Sequence, residues 1–148
     1  MLRKQNINRS LFFIIFLLTA CSCDKELELE DKIKGQWEIR EITYNGVNYK
    51  EELYINFMMF EDNDKLSIPA SRFFEKDPLA SWKTFQIEDK FKLIIQSEDE
   101  VFKGDYNLVF IKNLEEKLLG IQLNSDSTHI KAYKLFQDFE SKQEQWQN

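Results

Sequence analysis

Cysteine is nearly absent from this chain of 148 residues: Cys21 and Cys23 are the only two, and nothing after them can close a disulfide or give a thiolate to a metal. The folded part must therefore be held by its own apolar core. Histidine is scarcer still, with His129 alone, which excludes a His-ligand cluster and reads as a surface or core residue of a strand. Four glycines and two prolines leave no Gly-rich phosphate loop and no nucleophile elbow. Basic residues are outnumbered, 20 to 26, and form no patch, so binding to a phosphate backbone is not expected. A membrane-spanning run is missing too. The sustained apolar block, Leu11 to Ala20, is ten residues, about 15 Å as a helix, where a bilayer core needs roughly twenty.

That block has the make-up of a secretion signal. Arg3, Lys4 and Arg9 precede it with no acidic residue, the charge pattern of a signal-peptide leader. Its end, Leu18-Thr19-Ala20-Cys21, resembles the bacterial lipobox, and no equally good match is centred on Cys23, where Ala20 would replace the preferred leucine. The resemblance implies cleavage between Ala20 and Cys21 and fatty-acyl chains such as palmitate on Cys21. Each buried methylene contributes about 0.8 kcal/mol, so two or three chains anchor stably. The implied address is the bacterial cell envelope, at the outer membrane. Cys23 is left as a free thiol or an intermolecular partner.

Removing residues 1–20 takes away three basic residues and no acidic one, so the charge moves from -6 to -9 over 128 residues, the size of one domain. Residues 21–32 form an acidic run that reads as an extended tether. An acidic stretch behind the lipidated Cys resembles the surface-export signal of Bacteroidetes-type lipoproteins, while a plain linker facing the periplasm fits equally.

From Ile33 the pattern changes to short apolar runs between polar turns. Eight strands are expected, over 35–44, 52–60, 64–68, 82–88, 91–97, 101–111, 117–123 and 128–136. Asn45-Gly46 is a hairpin signal, because both residues tolerate positive φ. Alternation places Phe91, Leu93 and Ile95 on one face, as it does Tyr106, Leu108 and Phe110, and Leu119, Ile121 and Leu123. In the first strand the period slips by one between Ile39 and Ile42, which predicts a bulge. Leu53 to Phe60 is apolar on both faces, so it is either covered twice or exposes an apolar strip.

Gly35-Gln36-Trp37 at the head of the first strand resembles the Gly-x-Trp motif of lipocalins and of bacterial lipocalin-like lipoproteins. The resemblance implies an all-β fold, an eight-stranded antiparallel up-and-down barrel over 33–136, with residues 137–148 as a terminal helix or tail. Neither a Thr-Asp-Tyr motif nor an arginine near the end of the last strand is present. Such a barrel is just wide enough to be filled by side chains or to hold one small ligand. Trp37, Phe57, Met59, Phe85, Phe91, Tyr106 and Phe110 are the expected ligand-lining or core residues. Phe73 and Phe74, in the long connection 69–81, form either a contact surface or a buried cap.

No catalytic constellation is found, no metal site or cofactor is implied, and the chain is not read as an enzyme. Two functions compete: a lipid-anchored envelope protein that takes a small apolar ligand, and a filled barrel that contacts another envelope protein. Both rest on the anchor. In cells grown on labelled palmitate, Cys21→Ala is expected to lose the label and to leave the membrane pellet; a mutant that keeps both refutes the anchor.

Overall fold

Strands form where apolar and polar residues alternate, and the computed structural model describes them over residues 24–73 and 79–135. Ala20, Cys21, Cys23 and Phe74 lie outside the described residues, as do 137–148. The chain divides into two compact units, Met1–Lys32 and Ile33–Asn148. In the first, the acidic run expected as an extended tether is helical, α1 (Asp24–Ile33). Its Glu, Leu and Lys are strong helix formers.

The second unit is all-β. Its strands are β1 (Gly35–Tyr44), β2 (Val47–Asn48), β3 (Phe57–Phe60), β4 (Lys65–Ser67), β5 (Leu79–Ile87), β6 (Lys90–Ser97), β7 (Gly104–Asn113), β8 (Leu118–Asn124) and β9 (Thr128–Lys134). Each pairs antiparallel with the next along β3 to β9, β1 pairs with β3, and β9 returns to β1. The result is a closed barrel of eight strands, with β2 added as a short hairpin on β1. The β1–β2 turn uses Asn45 and Gly46 at φ 49° and 78°, as the sequence implies. Closure needs the expected bulge: Ile39 faces Ala132 and Glu41 faces Lys131, leaving Arg40 as the extra residue.

The interior is packed. Trp37, Ile39, Leu93, Tyr106, Ile121 and Ile130 are all fully buried, and Phe60 meets Trp82 edge to face with centroids 5.2 Å apart. Trp82 Nε1 donates to the carbonyls of Glu61 and Lys65 at 3.2 and 3.1 Å, tying the β3–β4 turn to β5.

The expected strand 52–60 is corrected in extent and in face. Lys50–Glu52 is a single 3-10 turn, and only Phe57–Phe60 is strand. Phe57 and Met59 point outward, 36% and 40% exposed, while Met58 and Phe60 fill the core. Directly opposed residues share a face, and Met58 lies opposite Trp37 and Phe60 opposite Gly35. With every position of Leu53 to Phe60 apolar except Asn56, register decides which set turns inward. Phe85 is corrected likewise: it pairs with Lys92 and lies on the outer face of β5, where Trp82 and Thr84 take the inner positions. Truncation separates the faces: Met58→Ala is expected to cost about 2–5 kcal/mol in urea unfolding and Met59→Ala less than about 1. Equal costs refute the assignment.

Candidate functional site

A run that is apolar on both faces must leave one apolar face in water unless something covers it, and β3 does so. Ile55, Phe57 and Met59 share its outward parity, and Met59 lies opposite Ser67, which lies opposite Leu79. Leu79 is 76% exposed, so the strip crosses from β3 over β4 to β5. A cleft of about 620 Å³ follows it, lined by Gln36, Ile55, Phe57, Met59 and Leu79 and floored by Leu66. The cleft exists because the β3–β4 ladder has only two register pairs. Continuing that register would set Phe57 against Pro69, which has no N–H to donate, and the strands part there.

The Gly-x-Trp segment has a structural task. Gly35 sits at φ 115°, and a Cβ there would come within 3.3 Å of Lys134 Cε. Trp37 Nε1 donates to the carbonyl of Ile33 at 2.7 Å, and Lys134 Nζ lies 5.3 Å from the centre of its ring. The last strand thus ends in a lysine over the tryptophan, where the sequence offers no arginine. Near the same end Phe91 and Phe110 point inward but are only half-buried, their rings edge to face with centroids 5.8 Å apart. A cleft of about 560 Å³ runs beside them, lined also by Lys90, Leu108 and Val109.

The other end is plugged. Between β6 and β7 the chain folds inward, burying Val101 and Phe102, whose carbonyls are held by Thr128 Oγ1 and Tyr106 Oη, each at 2.8 Å. Burial pushes the Tyr106 phenol up to about 12. Asp99 Oδ1 accepts from Val101 N–H at 2.9 Å, but Asp99 Oδ2 is buried with no hydrogen-bond donor among the described residues. Desolvation is the main cause that raises the Asp99 carboxyl above its ordinary range, with Glu100 adding to it and the Val101 bond opposing it. Nearby, Tyr49 Oη donates to Ser71 Oγ at 3.1 Å, and Glu52 Oε2 pairs with Arg72 Nε at 3.3 Å. Burial also raises the Tyr49 phenol, with smaller contributions from the charges of Asp99 and Glu52.

The expected site residues are therefore dispersed. Trp37 and Tyr106 belong to the sealed core, and Phe91 and Phe110 flank one cleft. Phe57 and Met59 line another cleft, and Phe85 lies on the outer face. Phe73 is 71% exposed, with the Tyr49 ring 6.2 Å away, which favours the contact surface over the buried cap for this residue. Leu79, Asp99 and Lys134 were not among the expected site residues. A period-2 count taken back from Trp82 would have turned Leu79 outward, whereas the neighbours of Asp99 carry no local signal. His129 is half-buried beside Asn124 Oδ1 on the next strand. Among the described residues no group of three or more His, Cys, Asp or Glu could hold a metal. No family model matches the sequence, and the comparisons with curated proteins and with solved structures give no match.

Asp99 sets a pH dependence whose sign is fixed. Its folded pKa lies above the unfolded value, so its contribution is complete below the unfolded pKa and is lost as pH rises through the folded one. Urea unfolding at stepped pH is expected to show Asp99→Asn gaining stability relative to wild type as pH rises from the ordinary aspartate range toward neutrality; a constant difference refutes it.

Proposed function

We propose that the mature chain is a lipid-anchored envelope protein whose filled barrel serves as a rigid support for a contact surface on its outer wall. One observation carries this reading: the interior is taken up by large side chains such as Trp37, Phe60 and Tyr106, while Ile55, Phe57, Met59 and Leu79 face solvent together. Apolar side chains contiguous across neighbouring strands, with polar groups at the rim, mark a site of association. Ser67 and Lys65 supply that rim, both hydrogen-bonded to Glu61, at 2.6 and 3.2 Å. The anchor is inferred from Leu18-Thr19-Ala20-Cys21 and would hold the surface at the outer membrane. This reading assigns the chain no reaction and no cofactor.

A second reading, uptake of a small apolar ligand, is favoured by the half-buried Phe91 and Phe110 beside their cleft. It places the ligand at the barrel's rim, away from the packed centre.

Affinity capture from detergent-solubilised membranes separates the two. Proteins captured by the wild type are expected to be lost with Phe57→Ser plus Leu79→Ser and retained with Phe110→Ser. Retention in the double mutant refutes the contact surface. A lipid detected by native mass spectrometry in the wild type and lost only with Phe110→Ser establishes the second reading instead.

A further inference from the structure

The exposed strip on β3 to β5 has a neighbour within its own chain. Pairing with β1 continues one residue past the end of β9: the N–H of Leu135 donates to the carbonyl of Gln36 at 2.9 Å. Gln36 lies opposite Met59 and lines the cleft. The chain therefore leaves the barrel beside the apolar groove, with residues 136–148 still to follow.

Their sequence suits the groove. On a helical period Phe136, Phe139 and Trp146 fall on one side, with Lys142 beside Phe139 and Trp146, and Asp138, Ser141 and Gln145 on the other. Reach is not limiting. β3 is two strand spacings from β9, about 10 Å, and thirteen residues cover about 20 Å even when helical. An attached segment also meets the groove at an effective concentration no free partner matches.

We propose that residues 136–148 dock in this groove, setting Phe136, Phe139 and Trp146 against Ile55, Phe57, Met59 and Leu79. The proposal rests on that face being a contact surface, yet its test needs neither anchor nor partner.

Trypsin cleavage after Lys142 reads the docked state, because cleavage follows the population of the open form when opening is fast. In the mature chain it is expected to run about tenfold slower than in a synthetic peptide of residues 136–148, as followed by mass spectrometry. Met59→Ser and Leu79→Ser, both at exposed positions, should each restore most of the peptide's rate while lowering stability in urea by no more than the tenfold docking equilibrium, about 1.4 kcal/mol. A wild-type rate equal to the peptide's overturns the proposal. So does protection that neither substitution relieves. Protection that fades on dilution of the chain assigns the groove to a second copy and overturns it as well.

Discussion

The structure depends on one closure, the antiparallel pairing of β1 with β9. The sheet is otherwise a sequential meander, and a meander has two free edges. Joining Trp37 through Tyr44 to Lys134 through Thr128 removes both, and it works only because Arg40 is looped out as a bulge. Without that extra residue, either Trp37 and Ile39 or Ile42 would face solvent. The bulge lets one strand keep all three in the core while it bends around the cylinder.

Closure at eight strands sets the radius, and side-chain volume then decides what the inside can do. Two tryptophans, a tyrosine and two phenylalanines, Trp37, Trp82, Tyr106, Phe60 and Phe102, are each 2% exposed or less. The ends differ in how they are finished. At one, the β6–β7 connection folds in and its carbonyls are caught by Tyr106 and Thr128; at the other, Phe91 and Phe110 remain half-buried. The proposed role follows this division, with a contact surface on the outer wall where the short β3 and β4 leave an apolar cleft, and an unfilled rim as the second candidate.

The sequence made the regular half of the barrel legible and the irregular half opaque, for one reason. In β6, β7 and β8 polar residues such as Lys92, Gln96, Asp105, Asn107 and Gln122 hold most of the alternate positions, so period-2 alternation identifies the inner faces, and Leu93, Tyr106 and Ile121 are buried as the pattern implies. Tyr54 to Phe60 is apolar at every position but Asn56, and its inner face is chosen by Trp37 and Gly35 across the ladder, a partnership no local pattern records. Phe85 misled in a different way. It is a large aromatic among polar neighbours, but its parity with Lys83 places it outside. The Gly-x-Trp segment was visible, whereas Lys134 above the indole was not, because a lysine at a strand end ordinarily faces water. The acidic run 24–33 concealed a helix behind a composition that equally suits a solvated linker.

A ring of strands is no more secure than its shortest ladder, and here that is the two-pair seam between β3 and β4. If the cylinder parts there, it unrolls into a flat ribbon with β3 at one border, offering bare backbone donors and acceptors together with apolar side chains on both surfaces. Such a border is a template for joining molecules edge to edge. Pro69, which follows β4 on the opposite border, withholds an N–H there, so the residue that keeps the join weak also limits what that second border can recruit.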